Sequence, residues 1–169
     1  QQGHHVRHCT KSDLRFGREL YLFTARYGDS FAAGILSFIV LSQGTGFQIT
    51  GAPLQALEHV LLDGQQWMIR GKTWDWQVRG REITRPPGIA FCNFPPASLE
   101  AVGGERAAEF GAFAQRLRGD VTSGLTGTHV FWDSDYVVHS RPNFLFTIHM
   151  FSRRTINAQC INEEQKLGR

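Results

Sequence analysis

The densest group of side chains able to do chemistry is Asp75-Trp76-Gln77-Val78-Arg79-Gly80-Arg81-Glu82-Ile83-Thr84-Arg85-Pro86. Arg79, Arg81 and Arg85 fall within seven residues, with Trp74 and Trp76 just before them. A guanidinium is a planar fork that grips carboxylate or phosphate, and an indole offers a flat face to a sugar or a base. The cluster predicts an anion-binding loop in which Trp74 and Trp76 touch the ligand. The same residues also fit a solvated loop whose arginines pair with Asp75 and Glu82. Pro86 pushes Arg85 toward an extended conformation. Upstream, Tyr27 follows Arg26 and precedes Gly28. A cation beside a phenol favours the phenolate, so Tyr27 is a candidate proton-transfer group, although most tyrosines simply pack. Asn162 is a candidate hydrogen-bond donor to substrate near the end of the chain.

Other reactive types carry less. His4, His5, His8 and Cys9 have the composition of metal ligands but no partner cluster, and no metal site is expected there. Cys9, Cys92 and Cys160 are odd in number and match neither a metal spacing nor a disulfide framework. His139 and His149 fall in strand patterns, and neither is given a role.

Two regimes of periodicity must position these groups. From residue 29 to about 119 the chain reads as helical. Phe31, Ile35, Phe38 and Ile39 make one apolar stripe that ends near Gly44-Thr45-Gly46. Pro53 opens a second segment, in which Leu54, Leu57, Leu61 and Met68 recur at helical spacing. A third helix is predicted between Glu105 and Arg118. Between the second and third lies a long irregular stretch, Gly71 to Pro96, and loops of that length are usually functional. After Asp120 the period becomes two. Thr128 to Tyr136 and Asn143 to Phe151 read as strands, with Arg141-Pro142-Asn143 as a turn. Helices followed by strands, without alternation, suggest an all-α part and the start of a β part.

Composition bounds the class. The chain has 169 residues, 41% hydrophobic and 20% charged, which excludes intrinsic disorder, a collagen repeat and a coiled coil. No apolar run is long enough to span a bilayer, and no signal peptide is visible. The chain does not open on Met, which predicts a piece of something longer. Net charge is +3, and all the cationic side chains but Lys11, Lys72 and Lys166 are Arg. An anionic partner fits that excess, as does a genomic preference for Arg.

Several runs resemble polysaccharide lyase family 8, which contains hyaluronate, chondroitin AC and xanthan lyases. They are Leu61-Leu62-Asp63-Gly64-Gln65-Gln66-Trp67-Met68-Ile69-Arg70-Gly71 and Gly80-Arg81-Glu82-Ile83-Thr84-Arg85. Gly44-Thr45-Gly46-Phe47 and Phe131-Trp132-Asp133-Ser134-Asp135-Tyr136 add to them. His139 with Arg141-Pro142, Ser152-Arg153-Arg154-Thr155, and Asn162 with Glu164 complete the set in the family's order. The resemblance covers most of the chain from Tyr27 onward.

It implies an α+β multidomain fragment: residues 1–120 as the end of an α/α toroid and 121–169 as the first strands of an antiparallel β-sandwich. It implies β-elimination on a uronate-containing polysaccharide. A proton leaves C5, the C4–O bond breaks, an unsaturated uronate forms, and no water is consumed. Neutralising the carboxylate beside C5 stabilises the enolate-like transition state. By the resemblance, Tyr27 is the acid/base and Arg81 and Arg85 are its paired arginines. Asn162 is an active-site Asn contributed by the β part. No cofactor is expected, and a structural calcium elsewhere in a longer parent is left open. The implied partner is an acidic polysaccharide, with no nucleic acid or membrane, and the implied state is a secreted monomer. Two departures stand out. The family's His, nine residues before the Tyr, falls on Arg18, or on Phe16 if Gly17 and Leu20-Tyr21 are matched instead. Its Glu three residues before the Asn is Gln159. The 169-residue chain is therefore expected to be weakly active or inactive alone, and a non-catalytic acidic-glycan-binding relative is the alternative. A nucleic-acid module remains a weaker rival on the Arg-rich loop.

Overall fold

The computed structural model describes residues 24–80, 82, 91–120 and 124–150. Helix α1, Asp29–Ser42, forms from a run so apolar that hydropathy alone does not fix which side is inward. The buried side is Ala32, Leu36 and Ile39, continued back to Asp29. This corrects the expected stripe in part: Ile39 is buried and Ile35 packs against the core, while Phe31 and Phe38 do not. Phe31 and Phe38 are about half exposed, because small Ala32 lets the helix approach its neighbours where Phe31 would hold it off. Beyond α1, Gly44 takes a positive φ of 70°. The Thr45 hydroxyl donates to the Ser42 carbonyl at 2.7 Å and accepts the Phe47 N–H at 3.1 Å. The Gly-Thr-x-Phe resemblance is here a helix-ending device.

Helix α2, Ala52–Leu62, starts with Pro in its first turn and buries Leu57, Leu61 and Leu62. It stops sooner than the leucine spacing predicts. Asp63-Gly64 breaks it, and Met68, though fully buried, sits in a 3₁₀ turn over Gln65–Met68. A two-residue turn at Gly71-Lys72 then joins strands β1, Ile69–Arg70, and β2, Thr73–Trp74, in antiparallel register. The stretch expected to be irregular also contains a 3₁₀ turn at Trp76–Val78 and ends at a short helix α3, Pro96–Glu100. Helix α4, Ala107–Arg118, buries Phe110, Phe113, Ala114 and Leu117. It closes on Gly119 at φ 100°, with the Gly119 N–H on the Arg116 carbonyl and the Asp120 N–H on the Gln115 carbonyl. That is the paired-bond glycine stop of a helix.

Three antiparallel strands follow in chain order: β3, Gly127–Phe131, β4, Tyr136–Arg141, and β5, Phe144–His149. The single strand expected over Thr128–Tyr136 is thus the end of one strand, a turn at Trp132–Asp135 and the start of the next. Asp135 takes φ 52° there, where Asp is better tolerated than most side chains. The turn expected at Arg141-Pro142-Asn143 joins β4 to β5 in register Arg141↔Phe144.

One cluster of buried apolar residues reaches from α1 to β4. Trp74, Phe94 and Phe113 form an edge-to-face series with ring centroids 5.9 and 6.0 Å apart. Phe131 packs on Tyr136 at 5.7 Å where the sheet meets the helices. Among the described residues, no helix is long and apolar enough to cross a membrane, and no His, Cys, Asp or Glu group is arranged to hold a metal.

Candidate active site

Tyr27 lies on a five-residue π turn, Thr24–Gly28, directly before α1. Such wide turns are rare and recur at functional sites. Its two ends are buried and its middle is not. At one end the Thr24 hydroxyl accepts a hydrogen bond from the Gln65 amide at 3.2 Å, and both residues are enclosed. At the other end Asp29 is 1% exposed. Between them Arg26 and Tyr27 face solvent, with Tyr27 50% exposed. Tyr27 thus stands half exposed on a turn that is tied down at both sides.

Asp29 is the anchor. Its Oδ1 accepts the Trp74 indole N–H at 3.3 Å and the Asn93 backbone N–H at 2.9 Å. Its Oδ2 accepts the Asn93 side-chain amide. Trp74 and Asn93 bracket the segment 75–92, so the loop singled out by its arginines begins and ends at the carboxylate two residues after Tyr27. The Cys92 N–H bonds the Lys72 carbonyl at 2.8 Å and closes the same neck. Burial, and then the Asp29 charge, push the Cys92 thiol far above its ordinary range, which disfavours the thiolate.

Of the loop's three arginines, Arg79 lies among the described residues. Arg79 turns inward, 6% exposed, and its guanidinium donates to the Glu82 carbonyl at 3.2 Å. It also lies 5.2 Å from the Trp76 ring centroid. Burial lowers the Arg79 pKa, and the Glu82 charge partly offsets this. Arg79 therefore shapes the loop. Arg81, Arg85 and Asn162 lie outside the described residues, as do His4, His5, His8 and Cys9.

The two tryptophans also divide. Trp76 is 56% exposed and lines a cavity of about 380 Å³ with Arg70, Thr73, Trp74, Asp75, Arg79 and Leu145. Trp74 is enclosed, its ring in the core and its only polar atom bonded to Asp29. At 2% exposure Trp74 offers only an edge to this cavity, so Trp76 presents the larger face of the expected pair. The place of Trp74 in the Arg-rich run follows from its role as a strut. The sheet reaches the same loop: Gln77 donates to the Thr147 carbonyl at 3.2 Å and hydroxyl at 3.0 Å.

Residues 126–169 match the family model for polysaccharide lyase family 8, super-sandwich domain. Chondroitinase-AC of Pedobacter heparinus is 28% identical over 163 residues, which is 94% of this chain and 23% of that protein. The chain is similar to the family 8 polysaccharide lyases. Its helices and antiparallel sheet superpose on a solved chondroitinase AC lyase, studied as enzyme–oligosaccharide complexes, with a TM-score of 0.73 and 25% identity. That match covers 85% of this chain and 22% of the other. A Paenibacillus xanthan lyase shares the fold, with a TM-score of 0.68 and 22% identity over 90% of this chain and 18% of the other. The chain thus spans less than a quarter of the length of each of these relatives. The helix-then-strand order corresponds to the α+β arrangement of a toroid end leading into sandwich strands.

Proposed function

We propose that this chain supplies part of the active site of a secreted lyase that cleaves an acidic, uronate-containing polysaccharide by β-elimination. The observation that carries the proposal is the exposed Tyr27 on a turn braced at Thr24 and Asp29, within a chain similar to chondroitinase AC. Tyr27 takes the C5 proton and returns one to the leaving oxygen. Arg81 and Arg85 supply positive charge beside the phenol and contact the anionic chain. Asn162 orients groups from the sheet side, and Trp76 offers a ring face to a sugar. The carbon–oxygen bond breaks without water or a redox partner, so the reaction as written needs no cofactor. In this reading residues 1–120 are the toroid part and 121–169 the sandwich part. The protein acts as a monomer without nucleic acid or membrane.

The test is formation of the unsaturated product, followed by its ultraviolet absorbance, from chondroitin, hyaluronan and xanthan. The protein is expressed from its complete reading frame, and the 169-residue chain is assayed alone beside it. Tyr27→Phe should abolish turnover and leave glycan binding largely intact. Near-normal turnover of Tyr27→Phe would refute the assignment. A second reading, a non-catalytic acidic-glycan binder, is favoured by the absence of His at both Arg18 and Phe16. Glycan binding without product from the complete protein would establish it.

A further inference from the structure

Asp29 is a buried carboxylate in an arrangement that does not serve stability cheaply. Among the described residues its hydrogen bonds come from neutral donors: the Trp74 indole, the Asn93 backbone and the Asn93 amide, with the Cys92 thiol also against it. Removing a charge from water costs several kcal/mol unless donors compensate, and a well-packed apolar side chain is commonly a better core residue. The carboxylate does have a geometric property that an apolar residue lacks. Its two oxygens hold two chain segments at fixed distances from one helix start. Oδ1 fixes Trp74, at the end of β2, and the Asn93 backbone together; Oδ2 fixes the Asn93 side chain. The opposite brace, Gln65 to Thr24, ties down the other end of the π turn.

We propose that Asp29 is a positioning residue for Tyr27, setting the phenol's place relative to both ends of the segment 75–92. This rests on the assignment of Tyr27 as the acid/base. Asp29 touches no reacting atom. It acts by holding the first turn of α1, and with it Tyr27, against Trp74 and Asn93. Proton transfer is steep in geometry, and a displacement of about 1 Å costs on the order of 100-fold in rate.

The bond pattern suggests its own test. In Asp29→Asn the new amide keeps an oxygen for Trp74 and for the Asn93 backbone, but sets an NH2 against the Asn93 NH2. Exchanging the pair, Asp29→Asn with Asn93→Asp, reverses the polarity of that one bond and restores all three. Asn93→Ala is the mild variant, since Asn93 is on the surface and its backbone bond survives. The complete protein and these variants are assayed on chondroitin, hyaluronan and xanthan beside Tyr27→Phe, with binding and melting temperature measured on each. Asp29→Asn and Asn93→Ala should lower kcat roughly 10–100-fold with KM changed less than threefold. The exchanged pair should recover most of the kcat. Loss of kcat that follows the melting temperature and is not recovered by the exchange would overturn the proposal, as would kcat within twofold of the parent in both single variants. If Tyr27→Phe itself keeps its turnover, the acid/base assignment fails, and that result is separate from any behaviour of Asp29.

Discussion

The Tyr136 hydroxyl donates to Asp75 Oδ2 at 2.9 Å, joining the first residue of β4 to the residue that follows Trp74. Asp75 also donates its backbone N–H to the Met68 carbonyl at 2.8 Å, so the bond links the sheet to the hairpin neck. Tyr136 is fully enclosed, and burial followed by the Asp75 charge keeps its phenol protonated far above the ordinary tyrosine range. It is a fixed donor. Tyr136→Phe removes the donor and leaves Asp75 partly buried without it. The expected loss is about 1.5–3 kcal/mol, as for a hydrogen bond to a charged group. Denaturant unfolding of the pair of proteins checks this, and an unchanged midpoint would show that the bond contributes nothing.

The fold should weaken on the acid side in two stages. Burial lowers the pKa of His149 and of His129, more than their neighbouring carboxylates raise it. A histidine with a lowered folded pKa contributes fully above its unfolded value, about 6.5, and that contribution fades as pH falls below it. Asp63 adds the second stage. Burial alone would raise its carboxyl, but hydrogen bonds from Arg106, at 2.8 Å, and from His59 hold it below its ordinary value. Its contribution is present above about pH 4 and is lost as pH falls through the lowered pKa. Asp63 is partly exposed, so solvent screening keeps the second stage small. Melting temperatures measured from pH 8 to pH 3 should decline from near pH 6.5 downward. His149→Gln should flatten the upper part of that decline, and Asp63→Asn the lower.

Two glycines of α4 should answer the same substitution with opposite sign. Gly119 ends the helix at φ 100°, so Gly119→Ala is strained although the space around it is open, and should destabilise by about 1 kcal/mol. Gly111 lies inside the helix with nothing near its missing Cβ. Gly111→Ala should stabilise by about 0.5–1 kcal/mol, through helix propensity and a less free unfolded chain. Thermal unfolding of the two variants side by side decides this.

Arg85→Ala tests the charge proposed beside the phenol. It should lower both turnover and glycan affinity, whereas Tyr27→Phe lowers turnover alone. Steady-state kinetics with a separate binding measurement distinguishes the two, and unaltered kcat and KM in Arg85→Ala would remove Arg85 from the site.

Much of this was legible in residue order. Pro53 and Pro142-Asn143 mark a helix start and a turn because their backbone chemistry is local, and those boundaries fell close to where they stand. The phase of α1 was legible only in part: Phe31, Phe38, Ile35 and Ile39 are all apolar, and the smaller Ala32 decides the packing. Trp74 and Trp76, two residues apart, gave one composition signal for two roles, since only the fold separates a strut from an exposed face. Asp29 carried a weak mark, a charged residue at the start of an apolar run. Nothing local tells that its partners stand 45 and 64 residues away.

The π turn at Thr24–Gly28 makes the facing of Tyr27 a matter of counting. Each residue of an ordinary α-helix advances about 100° around the axis, and a π turn absorbs one more residue before the next bond closes. Delete one residue between Thr24 and Gly28, and α1 could run back unbroken through this point, carrying the phenol about a quarter turn round toward another neighbour. The direction of the Tyr27 side chain is thus written in part as a length of chain, and a single-codon deletion within the turn erases it.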